Sequence, residues 1–144
     1  MNELEIYNEL IMEHAMNSIN KKELKKFDKC ELGHNPNCGD EIKIEIKLSN
    51  DKNIIEDMAF SGHGCAISQA SASIMIDTLK GKTVLEAKKI IEIYFKMIRR
   101  EDISNDEQSL LNEALAFKNI SNMPARVKCA MLSWRTLNDI LNDL

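Results

Sequence analysis

Between residues 42 and 48 the chain alternates with a period of two: Ile42, Ile44, Ile46 and Leu48 are apolar, while Lys43, Glu45 and Lys47 are charged. Only an extended strand sorts such a series onto two faces, one for a core and one for water. Ser49-Asn50-Asp51-Lys52-Asn53 is turn chemistry, and residues 54–60 read as a second strand, so an antiparallel hairpin is expected. Ser61-Gly62-His63-Gly64 ends it and delivers Cys65. After Cys65 the pattern is helical throughout.

The remaining elements follow from periodicity and end signals. Residues 3–18 place Leu4, Tyr7, Leu10, Ile11 and Ala15 at helical spacing and predict a first helix. The lysine-rich stretch 20–30 predicts a short helical turn or a loop, and 33–39, punctuated by Gly, Asn and Pro, an irregular segment. Residues 66–79 predict a helix stopped at Gly81. Thr83 with Glu86 forms a capping box before a helix carrying Val84, Leu85, Ala87, Ile90, Ile91 and Tyr94. A polar break at 102–106, a short helix at 107–117 and a last helix from near Pro124 to about Leu141 complete the chain. Strands and helices are segregated, so the class is α+β: a small antiparallel sheet packed with helices, a single domain over 1–144. Trp134 reads as core.

Composition narrows the functions. A formal charge of -4 supplies no basic field, so nucleic acid is not an expected partner. The cluster Lys21, Lys22, Lys25 and Lys26 reads as a solvated face. No stretch is apolar enough for a bilayer and no secretory signal opens the chain, so a cytoplasmic location is expected and no membrane partner. In that reducing compartment the four cysteines read as thiols, metal ligands or reactive groups rather than disulfides.

Three of them have distinctive settings: Asn35-Pro36-Asn37-Cys38-Gly39-Asp40, Gly62-His63-Gly64-Cys65-Ala66 and Met123-Pro124-Ala125-Arg126-Val127-Lys128-Cys129. Each follows a Pro or Gly and falls in a loop or near an element end. Cys38, Cys65 and Cys129 with Asp40 offer three sulfurs and a carboxylate, the donor count of a tetrahedral zinc or iron site. Hairpin geometry brings Cys38, Asp40 and Cys65 to one end of the sheet; Cys129 must arrive on a separate helix. A thiolate near a helix N-terminus is stabilised by unpaired N–H groups, and it serves equally as metal ligand and as nucleophile. Cys30, without a turn neighbour, reads as an ordinary small buried residue. His34 and His63 adjoin the cysteines in sequence and read as loop residues, with a ligand or supporting role the alternative; His14 reads as structural or exposed.

These motifs resemble the iron–sulfur assembly superfamily that includes IscU and the N-terminal domain of NifU, and within it the SufU branch. The resemblance spans nearly the whole chain, from Tyr7-Asn8-Glu9-Leu10-Ile11-Met12-Glu13-His14 through Cys38-Gly39-Asp40 and Gly64-Cys65-Ala66-Ile67-Ser68-Gln69-Ala70-Ser71-Ala72-Ser73 to Pro124-Ala125-Arg126-Val127-Lys128-Cys129-Ala130. Lys128 stands where IscU proteins carry a histidine, Met123-Pro124-Ala125-Arg126-Val127-Lys128 replaces their chaperone-recognition motif, and the helical stretch between Gly81 and Cys129 is similar to the SufU insertion. Ala15-Met16-Asn17-Ser18-Ile19-Asn20 departs from the aromatic residue and Asn-Pro-Arg-Asn turn usual after the first-helix histidine. The resemblance implies zinc held by Cys38, Asp40, Cys65 and Cys129, with Arg126 as a supporting residue. It also implies a sulfurtransferase-type relay: persulfide sulfur comes from a SufS-type, pyridoxal-phosphate cysteine desulfurase and passes to downstream iron–sulfur assembly proteins. In the family picture a histidine of the desulfurase replaces one cysteine on zinc, by position Cys38, the sulfur acceptor. A scaffold for a [2Fe–2S] or [4Fe–4S] cluster, or a purely structural zinc domain, are the competing readings.

Overall fold

The alternating segment is the middle strand of a three-stranded antiparallel sheet in this computed structural model, whose described residues are 8–144. The strands are Lys29–Asn35 (β1), Asp40–Leu48 (β2) and Ile55–His63 (β3), in the order β1-β2-β3. Register places Ile44 opposite Phe60 and Ile46 opposite Met58, so the apolar faces of β2 and β3 form one wall of the core. Ile42, Ile44 and Ile46 are fully buried, each a contribution of about 1.5–3 kcal/mol.

Among the described residues the sheet is accompanied by five α-helices: Glu9–Met16 (α1), Ala66–Leu79 (α2), Val84–Ile98 (α3), Asn105–Leu111 (α4) and Pro124–Asn142 (α5). Leu4 and Tyr7 of the expected first helix lie outside the described residues. α2 is buried almost all round, which its Ala and Ser residues permit by letting α1 and α5 approach closely. The capping box of Thr83 and Glu86 starts α3 as expected. Trp134 of α5 is fully buried and stacks on Tyr94 of α3, ring centroids 3.8 Å apart. Ala130 C=O accepts from both Tyr94 Oη (2.8 Å) and Ser71 Oγ (2.6 Å), and Trp134 Nε1 donates to Ser71 Oγ at 3.1 Å.

Four expectations need correction. Residues 33–35 are not irregular but pair with β2; the irregular piece is the turn 36–39. Gly33 serves close approach rather than a turn: a Cβ there would stand 2.1 Å from Thr136 Oγ1, where α5 crosses β1. The expected 107–117 helix begins earlier, at Asn105 behind a Ser104–Glu107 capping box, and ends at Leu111. Asn112 has φ 49, which the α-helical ladder does not accommodate, and the chain continues as a 3₁₀ helix, Asn112–Phe117. β3 runs through Ser61-Gly62-His63 rather than ending before it. Cys30 is exposed on β1, not buried.

The lysine-rich stretch is a loop pinned to the sheet. Phe60 N–H donates to Asn20 C=O (3.0 Å), and Lys22 N–H donates to Phe60 C=O (2.9 Å). Leu24 N–H donates to Glu45 Oε1 (2.9 Å), and Leu48 N–H to Asp28 Oδ2 (2.7 Å). This crossing covers Glu45, a charged residue of the alternation that is nevertheless buried.

Candidate metal centre

The turn 36–39 joins β1 to β2 and carries Cys38; Asp40 is the first residue of β2. Cys65 follows β3 and is the N-cap of α2. Cys129 lies in the second turn of α5, its position set by the packing of α5 on β1 and α2. These elements meet at one end of the sheet, as the hairpin argument expected. Cys129 Sγ is 3.5 Å from Cys38 Sγ, and ligand atoms of Cys38, Asp40 and Cys129 lie within 4.8 Å of one another. Asn35 Nδ2, opposite Asp40 in the β1–β2 register, donates to Cys129 Sγ at 3.8 Å. Sequence reasoning passed over Asn35; its adjacency to the Pro36 turn was the available signal.

Cys65 stands outside that trio. Its sulfur turns toward Ser68 Oγ (3.7 Å), while its backbone N–H donates to Asp40 Oδ1 at 2.9 Å. The contact places a carboxylate at the N-terminus of α2, where unpaired N–H groups favour negative charge. Gly64 makes it possible: a Cβ at that position would stand 2.7 Å from Asp40 Oδ1 and 2.4 Å from Ser68 Oγ.

Asp40 is fully buried, and its second oxygen, Oδ2, has no hydrogen-bond partner among the described residues. A buried carboxylate oxygen left unpaired is costly unless a cation or proton faces it. Burial first, and then the neighbouring side chains of Cys38, Asp40 and Cys65, push the Cys129 thiol well above its ordinary value. A bound cation reverses that preference and makes the thiolate the stable form. The donor set therefore fits a metal ion on the structure's own terms: soft sulfurs, one hard oxygen, and a buried oxygen lacking a counter-charge.

Arg126 is half-buried one helical turn before Cys129, on the same flank of α5. His34 and His63 are both exposed. Both pair with Glu41, which alternation places on the sheet face opposite Asp40. Proximity in sequence therefore does not bring either into the cysteine cluster. His14 lies elsewhere, against Ser73 of α2.

Comparison with known proteins places the chain in a family. The family described as NifU-like N terminal domain matches residues 6–137. A zinc-dependent sulfurtransferase SufU of Bacillus subtilis (strain 168) is 39% identical over 132 residues, covering 92% of this chain and 86% of the relative. An iron–sulfur cluster assembly scaffold protein IscU of Thermotoga maritima is also 39% identical, over 139 residues, covering 96% and 94%. Among solved structures, an iron–sulfur cluster assembly scaffold protein for the SUF system from Fervidobacterium islandicum AW-1 superposes with a TM-score of 0.88 at 34% identity, covering 97% of this chain and 99% of that one.

Proposed function

The chain belongs to the NifU-like N-terminal domain family of iron–sulfur cluster assembly, and from that premise we propose that it is a zinc-dependent sulfur acceptor. In this reading, residues 1–144 act as one domain in the cytoplasm. Zinc would be held by Cys38, Asp40, Cys65 and Cys129. The observation that carries the reading is the buried, unpaired Oδ2 of Asp40 beside two converging thiols. The SufU relative, named as zinc-dependent, and Lys128 in place of the IscU histidine support the SufU side.

The bound ion supplies positive charge that keeps the thiols deprotonated, and zinc has no redox chemistry of its own. The protein's residues do the rest. Cys38, on a turn rather than a helix, is the sulfur that moves out toward a donor. Its thiolate attacks the terminal sulfur of a persulfide on a cysteine desulfurase. A new S–S bond forms on Cys38, the S–S bond on the donor breaks, and the donor cysteine leaves as thiolate, with no net oxidation. Asn35 and the Cys65 backbone hold Cys129 and Asp40 in place meanwhile, and Arg126 steadies charge on the Cys129 side. The product sulfur then passes to downstream iron–sulfur assembly proteins.

The second reading, a scaffold for a [2Fe–2S] or [4Fe–4S] cluster, rests on the equally similar IscU relative. One experiment separates them: stimulation of a SufS-type cysteine desulfurase by zinc-loaded and metal-free protein. Stimulation by the zinc form alone, abolished in a folded Cys38→Ala variant, supports the sulfur acceptor. No stimulation, with cluster assembly on added iron and sulfide, transfers the role to the scaffold.

A further inference from the structure

A second constellation of donors lies away from the cysteines, where α1, α2 and the 3₁₀ segment Asn112–Phe117 meet. Ligand atoms of His14, Asp77 and Glu113 lie within 4.8 Å of one another. His14 Nε2 is 3.3 Å from Glu113 Oε1 and 3.9 Å from Asp77 Oδ2. An ion with metal–ligand bonds of roughly 2.0–2.2 Å holds its donors about 3–3.5 Å apart, so this set is already close to the required spacing.

The atoms of these side chains that face away from the shared point are individually fixed. His14 Nδ1 is 2.7 Å from Ser73 Oγ, which lies 2.6 Å from Ser18 Oγ, and Ser18 Oγ accepts Asn20 N–H at 3.0 Å. Ser73 Oγ can accept the Nδ1 proton of His14, and an ion at the shared point would take the lone pair of Nε2, which without it hydrogen-bonds Glu113 Oε1 at 3.3 Å. Asp77 Oδ1 accepts from Asn20 Nδ2 at 2.9 Å, leaving Oδ2 for the shared point. Asn20 is itself held by Ser73 C=O at 3.0 Å. Metal-binding histidines and carboxylates are ordinarily oriented in this way, by a hydrogen bond on the atom that does not bind. A small cavity of about 100 Å³, lined by His14, Ser18, Ile19, Asn20, Ser73 and Asp77 among others, opens beside them. Asp77 and Glu113 are partly exposed, which gives an ion a path in.

We propose that His14, Asp77 and Glu113 form a second divalent-cation site, distinct from the cysteine centre, with water completing the coordination. One imidazole and two carboxylates without sulfur suit a first-row cation such as Zn²⁺, Fe²⁺ or Mn²⁺ rather than a soft, thiolate-seeking one. The ion carries no step of sulfur transfer. It ties α1 to α2 and to the 3₁₀ segment through one point.

The test is Zn²⁺ titration of the metal-free full chain by calorimetry, with metal analysis after desalting. Wild type should bind one equivalent that His14→Ala and Glu113→Gln each fail to bind. Ser73→Ala should hold that equivalent about 10–100-fold more weakly, because the imidazole loses its orienting partner. Titration with Co²⁺ identifies the equivalent: a cysteine centre gives a thiolate-to-cobalt charge-transfer band, and the His14 equivalent gives none. Failure of the cysteine centre removes the band and leaves the second equivalent readable. Glu113→Gln alters a surface side chain and keeps the test valid should His14→Ala misfold. Absence of any sulfur-free equivalent in wild type, or its persistence in both variants, overturns the proposal and leaves a hydrogen-bonded contact between His14 and Glu113.

Discussion

Gly64→Ala isolates the contact that orients the proposed metal ligand Asp40. The added methyl would stand 2.4 Å from Ser68 Oγ and 2.7 Å from Asp40 Oδ1. Ser68 can rotate away, giving up its bond to Cys65 C=O (3.0 Å). The Asp40 carboxylate has less freedom, since it is fully buried and fixed by Cys65 N–H at 2.9 Å. Retreat to ordinary contact, 3.4 Å, strains the bond of Oδ1 to that N–H. Losing a hydrogen bond to a charged group costs about 1.5–3 kcal/mol in stability. Disturbing a ligand's support costs about 10–100-fold in metal affinity. Gly81→Ala is the control: its φ of +88 strains any side chain, but nothing lies within 4 Å of the new methyl. It should lose about 1–2 kcal/mol through backbone strain alone and keep full zinc affinity. Chelator competition for zinc and thermal melting, run on both variants, separate the effects. Native zinc affinity in Gly64→Ala, or an equal loss in Gly81→Ala, would refute the argument that Asp40 is positioned through this contact.

Three further outcomes are expected. The metal-free protein should lose stability above about pH 9, because the folded Cys129 thiol keeps its proton where the unfolded one, with an ordinary value of 9.0, gives it up; the contribution is complete below that pH and falls by at most about 1.4 kcal/mol per unit above it, so melts across pH 7–10 should slope for the metal-free form and not, for this reason, for the zinc form. Ser71→Ala should cost more than Tyr94→Phe in chemical denaturation, about 1–3 against about 1 kcal/mol, since only the former leaves the buried Trp134 Nε1–H without its acceptor. Glu45→Ala should cost about 1–3 kcal/mol and raise hydrogen exchange at Leu24, whose N–H loses its carboxylate, whereas Glu45→Gln should largely retain that protection.

The β2–β3 hairpin was readable because every second residue of 42–48 is apolar and the turn residues are unambiguous. β1 was not, because Gly33, His34, Asn35 and Pro36 carry the local chemistry of a loop; the reason for Gly33 is Thr136, on a helix the local sequence does not reveal. The meeting of Asp40 with the Cys65 backbone followed from hairpin geometry, whereas the grouping of Cys129 with Cys38 and Asp40 did not. The side-chain detail did not: the turn of Cys65 toward Ser68 and the bond of Asn35 to Cys129 depend on α2 and α5 packing. His34 and His63, read as loop residues, lie in β1 and β3, and alternation places them across the sheet from Asp40. His14 looked merely structural because Glu113, its partner, lies 99 residues away along the chain. Glu45 shows the converse limit, a charged position in a clean alternation that is buried because a loop crosses over it.

The stacked pair Tyr94–Trp134 has an optical consequence. Trp134 is the sole tryptophan of the chain, it is fully buried, and it rides on the same helix as Cys129. Its emission should therefore be blue-shifted in the native protein and fed by energy transfer from Tyr94 at 3.8 Å. Any event that lifts α5 from α3 changes both the colour and the excitation spectrum together. The protein thus carries an internal fluorophore that reports the seating of the Cys129 helix, and the docking of a partner or loss of an ion at that end can be followed in real time without a label.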